Sequence, residues 1–424
     1  MTEYVRLDQS QIGRPRPGGL GVGRLLLGVG AVVALLAVLV VVQIERGTQP
    51  IKATLVLPKA ITVAGHAPTL PWPKHATAAA AIQGVGSLGG VRADRVRSLA
   101  SVAKLFTALV VLKEHPLRPG QSGPTLTVTP ADVSKYRLDV RNHDSVVKVT
   151  AGEHLTELQA LQGMLVPSAD NLARLLANWS SGSRASFVHA MNSEATALGL
   201  RQTHLAGPSG LNPHSVGTAS DLVKVGEAVM ASPVLRQIVS MPQVTLPSAG
   251  TVYNFNNVIG RDGIVGIKTG STLQSGGNFV FAATRNVQGK NVMVIGAVLG
   301  STGVDALQNA LNTGAKLARV ALRAVRRVPV LSTGEAVMKL HAAWGPTVIA
   351  RTTGSIRLLA VPGEAIRARV VLMSALARGR LHHIAAGERV ATVELQVNGH
   401  TTRLPVTATG AIATPSLAYK LERF

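Results

Sequence analysis

The sequence predicts a large mixed α/β domain followed by a smaller β-rich domain, with a membrane-crossing helix ahead of both. Three observations carry this. Leu25 to Val42 reads LLLGVGAVVALLAVLVVV, 18 apolar or glycine residues without a break, and as a helix such a run is ~27 Å long, enough to cross a bilayer. From about Thr77 to Arg327 helical and strand patterns alternate, and beyond Pro329 short strands and turns take over. At roughly 150 residues per domain, the 424-residue chain has room for two to three domains with sizeable cores.

Taking the elements in order, the apolar run is longer than the core of a secretory signal and continues into Gln43-Ile44-Glu45-Arg46 rather than a small-residue cleavage site. An uncleaved anchor over residues 25–44 is expected, with a cleaved signal as the alternative. Arg6, Arg14, Arg16 and Arg24 precede the span and Arg46, Lys52 and Lys59 follow it. This small bias places residues 1–24 in the cytoplasm and the rest of the chain outside it. Residues 45–75 contain Pro50, Pro58, Pro68, Pro71 and Pro73 with little periodicity, so a stiff extended spacer is expected there. The large domain is then expected over 76–328 and the β-rich domain over 329–424.

Composition removes several functions. The chain has 43 Lys and Arg against 21 Asp and Glu, a formal charge of +22, but only 13 aromatic residues and no cysteine. Without basic runs interleaved with aromatics, nucleic-acid binding is unsupported, and an anionic surface or polymer is the better partner for the charge. The absent cysteines exclude disulfide scaffolds, Cys-ligated zinc and thiol catalysis. Gly84-Val85-Gly86-Ser87-Leu88-Gly89 formally matches a dinucleotide fingerprint, but no acidic residue follows at the required distance. A glycine-rich turn between two strands is expected instead. There is no His-Glu-x-x-His and no Gly-x-Ser-x-Gly, so neither a metal, another cofactor nor an α/β-hydrolase nucleophile is expected.

Ser-x-x-Lys occurs twice, at Ser101-Val102-Ala103-Lys104 and at Ser145-Val146-Val147-Lys148. On a helix, residues three apart share a face; on a strand they point to opposite sides. Val102, Phe106, Leu109 and Leu112 recur at helical spacing, which puts Ser101 at the first turn of an amphipathic helix with Lys104 beside it. The second match is β-branched and alternating, and reads as a strand. A serine hydroxyl needs a base during attack, and lysine serves only when burial or nearby positive charge lowers its pKa. Ser101 and Lys104 are therefore the candidate nucleophile and general base.

Thr156 to Gln159 forms a capping box that opens a helix ending at Pro167, and a second helix starts near Asn171. Ser168-Ala169-Asp170 is thus a polar turn between two buried helices. Ile264 to Gly270 is a strand ending in the chain's single Lys-Thr-Gly, followed by strands over 277–284 and 291–299 in a meander. A strand edge beside a nucleophilic helix can hold an extended peptide through backbone hydrogen bonds.

These three motifs, in this order, make the chain resemble the penicillin-binding proteins and serine β-lactamases, and more specifically the D-alanyl-D-alanine carboxypeptidases. Phe187 to Asn192, Ala197 to Leu200, Pro208 to Leu211, Thr218 to Leu222 and Gly263 to Gly270 also resemble that family, from about Trp72 to Arg327. The resemblance implies a β-lactamase/transpeptidase-like fold, with an antiparallel sheet flanked by helices, in a bacterial membrane enzyme of cell-wall biogenesis. The implied substrate is a peptidoglycan stem peptide ending in D-Ala-D-Ala, with β-lactams as covalent inhibitors.

Site roles follow by the same resemblance. Ser101 would form the acyl-enzyme, Lys104 would take its proton, and Ser168 would relay a proton to the leaving amine. Lys268, Thr269 and Gly270 would bind the substrate carboxylate, and the backbone N–H groups of Ser101 and Ser271 would form the oxyanion hole. An endopeptidase or transpeptidase with the same acylation is the alternative, as is a catalytically silent wall-binding module. The middle motif departs from the family, with Asp170 where Asn is usual and Asn171 one place later. A carboxylate there would oppose a neutral Lys104, so Asp170 is expected to face away or pair with Lys268, or Asn171 to replace it in binding. No Glu-x-x-Leu-Asn follows the middle motif, which disfavours fast β-lactam hydrolysis.

In the last part, Asn398-Gly399 predicts a two-residue turn pairing Val397 with His400, Leu395 with Thr402 and Val393 with Leu404. Residues 366–372 predict a third strand. The family often ends this region in an amphipathic membrane-binding helix, and no such helix is expected here. From Lys316 onward there are 16 Lys and Arg against 5 Asp and Glu, either a solvated basic face or one that docks on anionic wall polymer or lipid headgroups.

Overall fold

The computed structural model describes residues 21–397 and 400–422. The cytoplasmic tail expected over 1–24 falls mostly outside the described residues, as does the Asn398-Gly399 turn. Helix α1 (Gly21–Glu45) keeps its apolar side chains from Leu25 to Val42 exposed. A helix apolar on every side that joins no protein core is suited to lipid.

Two short strands follow at once, β1 (Lys52–Leu55) and β2 (Ala60–Thr62). The large domain starts with β3 (Thr77–Ile82) and β4 (Gly86–Val91), joined through the glycine-rich turn, and later adds β5 (Ile264–Thr272), β6 (Gly276–Val287) and β7 (Lys290–Ser301). These form an antiparallel sheet in the order β5-β6-β7-β3-β4. Alternation along β6 divides the core: Val280 and Ala282 face a helical layer, while Phe279, Phe281 and Ala283 face the opposite side. The helical layer contains α2 (Lys104–Glu114), α3 (Glu157–Leu165), α4 (Asp170–Ser181) and α5 (Ala219–Ala231). Helix α6 (Ala306–Ala324) covers the other side, and its Leu311, Ala315, Ala318 and Leu322 recur at helical spacing and are buried there.

The β-rich domain contains β8 (Arg326–Leu331), β9 (Ala336–His341), β10 (Val348–Thr352), β11 (Ile356–Ala360), β12 (Ala365–Leu372), β13 (Arg389–Val397) and β14 (His400–Ala408). The pairing of Val397 with His400, Leu395 with Thr402 and Val393 with Leu404 is as the sequence predicts, and β12 lies beside β13. A one-turn helix, α7 (Leu417–Leu421), packs against α1, in the region where no terminal helix was expected.

Two expectations are corrected. Residues 45–75 are not a spacer. β1 pairs with β9 and β2 with β12, so the β-rich domain's main sheet runs β1-β9-β10-β14-β13-β12-β2. Ile51, Leu57 and Val63 enter its hydrophobic core. The prolines fall outside these two strands, which leaves the backbone of each short strand free to pair. The β-rich domain therefore includes the segment ahead of the catalytic domain, and begins again at Arg326. Residues 144–150 are irregular rather than a strand, because the Asn171 side chain, not a neighbouring strand, satisfies the Val147 backbone.

Candidate active site

The site forms where the start of the helical layer meets the free edge of the sheet. Ala100–Ala103 is a 3-10 turn that runs directly into α2, with Ala100 at φ 46°. Behind it, the buried amide of Asn278 donates to the carbonyls of Ser98 and Leu99 (3.0 Å each) and accepts from Gly300 N–H at 2.8 Å. Neither Asn278 nor its contacts were singled out from sequence, since its partners lie far away along the chain. Val102, Leu105 and Phe106 are buried beneath the turn, which sets Ser101 and Lys104 side by side.

Lys104 is fully buried, and its Nζ contacts three acceptors: Ser101 Oγ at 2.8 Å, Asp170 Oδ1 at 2.6 Å and the Ser209 carbonyl at 2.9 Å. Three contacts and the Cε bond match the four positions that an sp³ nitrogen offers. An ammonium would use all three as acceptors. A neutral amine keeps its two N–H bonds on Asp170 and Ser209, so its lone pair faces the Ser101 hydroxyl. Burial pushes the Lys104 pKa down, Asp170 opposes this by charge and hydrogen bond, and Arg174 adds a smaller lowering; the net direction is downward.

The Ser209 carbonyl belongs to the Pro208-Ser209-Gly210 loop, held by Thr107 Oγ1 donating to Pro208 O at 2.6 Å. Gly210 has φ 85°, and a Cβ there would lie 1.8 Å from the Ala100 carbonyl oxygen. Only glycine lets this loop lie so close behind Ser101.

Ser168 sits between α3 and α4 with φ 63°. Its Oγ is buried and has no hydrogen-bond partner among the described residues. Asp170 opens α4, where the helix N-terminus favours its negative charge, and its N–H donates to Ser145 O at 2.7 Å. Asp170 neither faces away nor pairs with Lys268; its ion pair is with Lys104. Asn171 does not take over the amide's place, because its side chain is tied to both backbone groups of Val147, at 3.2 and 2.9 Å. Sequence spacing does not reveal the Asp170–Lys104 pairing, because a residue of positive φ, Ser168, lies just ahead of α4.

From the other wall, Lys268 on β5 is buried, and its Nζ donates to the Thr269 carbonyl at 3.1 Å. Burial, then the charge of Lys104, holds its pKa well below the usual lysine range, while Asp170 pulls the other way. A Cβ on Gly270 would lie 3.0 Å from Ser101 N, so the missing side chain lets β5 lie directly on the Ser101 turn. Thr269 is buried, and Ser271 is exposed two residues further along this edge strand. Ser271 borders a cleft of about 740 Å³ that also touches Arg97, Phe255, Leu273 and the start of α6.

Comparison with known proteins agrees with this arrangement. The family model described as D-alanyl-D-alanine carboxypeptidase matches residues 88–303. A D-alanyl-D-alanine carboxypeptidase of Streptomyces sp. strain K15 is 33% identical over 234 residues, covering 51% of this chain and 77% of the relative. The crystal structure of the Streptomyces K15 DD-transpeptidase superposes with a TM-score of 0.52 at 30% identity, over 60% of this chain and all of that one. A penicillin-binding protein 5 structure from Haemophilus influenzae covers 84% of this chain and 98% of that one, with a TM-score of 0.56 at 20% identity, a likeness of fold. The motifs, the antiparallel sheet between helical layers and the matched half of the chain lead to one assignment: the chain belongs to the S11 peptidases, the D-alanyl-D-alanine carboxypeptidase family.

Proposed function

We propose that this protein is a membrane-anchored serine carboxypeptidase that removes the terminal D-alanine from peptidoglycan stem peptides. The observation that carries the mechanism is the surround of Lys104, in which Asp170 and Ser209 take two directions and Ser101 the third. The neutral amine takes the Ser101 proton as Oγ attacks the penultimate carbonyl carbon. The N–H groups of Ser101 and Ser271 receive the oxyanion; the close approach of Gly270 to Ser101 N supports this pairing.

As the C–N bond breaks, the proton held on Lys104 passes through Ser168 to the leaving D-alanine amine. The unpartnered Ser168 hydroxyl supports that role. Water then attacks the Ser101 ester and gives a proton to Lys104, which returns it to Ser101 Oγ as the C–O bond breaks and the shortened peptide leaves. Lys268 and Thr269 bind the terminal carboxylate; partner-poor and buried, the Lys268 amine gains most from an arriving anion. β-Lactams acylate the same hydroxyl.

Helix α1 holds the enzyme in the cytoplasmic membrane with the catalytic domain outside. The test is labelling of the full chain with a fluorescent penicillin, comparing wild type with Ser101→Ala, together with D-alanine release from a pentapeptide. Wild type is labelled and releases D-alanine, and the variant does neither. An unlabelled wild type would mean a silent wall-binding module. A second reading, transfer to another peptide amine, is favoured by the free edge of β5 and its adjoining cleft. A cross-linked product in place of free D-alanine would select it.

A further inference from the structure

The seven-stranded sheet of the β-rich domain has one face on its core and the other toward solvent. Pairing registers show what the outer face carries. Arg367 lies beside Gln396 and Thr401, Arg369 beside Glu394 and Arg403, and Arg389 beside Thr407. Lys52 stands across from His341, and Lys339 across from Thr54. All six basic side chains are exposed. Glu394 is the only carboxylate on this face among the described strand residues, and Arg403 is paired with it at 2.8 Å. Adjacent strands are ~4.8 Å apart, so the cations form a broad flat array and not a pocket.

The position of this array points to its partner. Only residues 46–51 separate α1 from β1, a reach of at most about 22 Å. The domain is also tied to the helix end, by the packing of α7 on α1 and by Ile51 N–H donating to the Leu381 carbonyl at 3.0 Å. A basic surface held this close to a membrane lies within reach of a plane of phosphates at high local concentration. Val371 is the one exposed large apolar side chain of these sheet strands past β1, which suits contact with headgroups and not insertion between acyl chains.

We propose that the outer face of this sheet docks on anionic phospholipid headgroups of the membrane that α1 crosses. The proposal rests on α1 being a membrane span, and the test separates the two. The chain has no cysteine, so single cysteines can be placed freely: Thr401→Cys on the outer face, Leu36→Cys in α1 and Val304→Cys on the catalytic domain. Each carries a fluorophore in the full chain, reconstituted in phosphatidylcholine vesicles with or without ~30 mol% phosphatidylglycerol. Quenching by headgroup and acyl-chain spin-labelled lipids is measured.

The acyl-chain probe should quench Leu36→Cys in both vesicles. The headgroup probe should quench Thr401→Cys at least about threefold more with phosphatidylglycerol, and Val304→Cys equally in both. The difference should vanish at ~1 M salt and in the Arg367→Glu/Arg369→Glu variant, whose penicillin labelling rate stays at the wild-type value. An unquenched Leu36→Cys overturns the span itself. A quenched Leu36→Cys with equal Thr401→Cys signals in both lipids overturns the docking face alone. So does a Thr401→Cys signal that responds to soluble anionic wall polymer but not to phosphatidylglycerol.

Discussion

Replacing Asp170 with Asn tests the electrostatics of the base directly. The carboxylate lies 2.6 Å from Lys104 Nζ with both groups buried, and an opposite charge so near raises a lysine pKa by about 1–3 units. Asn keeps an oxygen to accept the Lys104 hydrogen bond but removes the charge. The Lys104 pKa falls further, and more of the enzyme holds the neutral amine at pH 7. The acid limb of the acylation profile should move down by about 1–3 pH units, and below the wild-type pKa the rate should rise by up to about tenfold for each unit.

Stability should move the other way. Breaking a buried pair costs about 3–5 kcal/mol while the remaining charge persists, but Lys104 can shed its proton. Its folded pKa lies below the unfolded value, so the unfolded chain binds more protons between the two, and the variant's deficit should shrink as pH rises through that window. The assay is the second-order rate of fluorescent-penicillin labelling from pH 5 to 10 alongside thermal melts. A loss of more than about tenfold at pH 7, near 1.4 kcal/mol, with the acid limb unmoved would refute the reasoning and make Asp170 a partner of the base.

Three further outcomes are expected. Lys268 must be protonated to hold a carboxylate, and its pKa is depressed, so KM for a D-Ala-D-Ala peptide should rise with pH well before an ordinary lysine titrates; Lys268→Arg should abolish that alkaline limb, as guanidinium stays charged. Glu157 has both carboxyl oxygens buried without hydrogen-bond partners among the described residues, and burial raises its pKa from 4.5 to about 7; Glu157→Gln should therefore stabilise the domain at pH 8 by up to ~3 kcal/mol, a gain that fades as pH falls and is gone about one unit below 4.5, where folded and unfolded Glu157 are both neutral. Gly210→Ala drives a Cβ into the Ala100 carbonyl, and should slow penicillin labelling and lower the melting temperature, while Ser209→Ala, which keeps the carbonyl that holds Lys104, should alter neither appreciably.

Much of the site can be read from local spacing. Ser101 and Lys104 meet because three residues of helical turn bring them together, and Lys268 is placed by a strand whose pattern is plain. Asp170 is different: its contact with Lys104 follows from the positive φ of Ser168, which spacing does not reveal. Ser209 acts through a carbonyl every residue possesses, so its side chain gives no signal. The strands over 52–62 escape for another reason. They are short and mostly exposed, and their partners β9 and β12 lie hundreds of residues away, so they carry little periodicity of their own. The hairpin of β13 and β14, by contrast, is local and alternates on both strands.

The entry of β1 and β2 into the β-rich domain makes the catalytic domain an insertion, joined to its base at residues 64–76 and again at Val325. Two covalent attachments resist swivelling as a single tether cannot, and a cut in either leaves the enzyme attached by the other. With α1 as the proposed anchor, its working radius would be set by the thickness of a folded base and not by the contour of a flexible stalk. Such an enzyme would trim a thin shell of wall at nearly constant altitude, leaving stem peptides above that shell with both D-alanines.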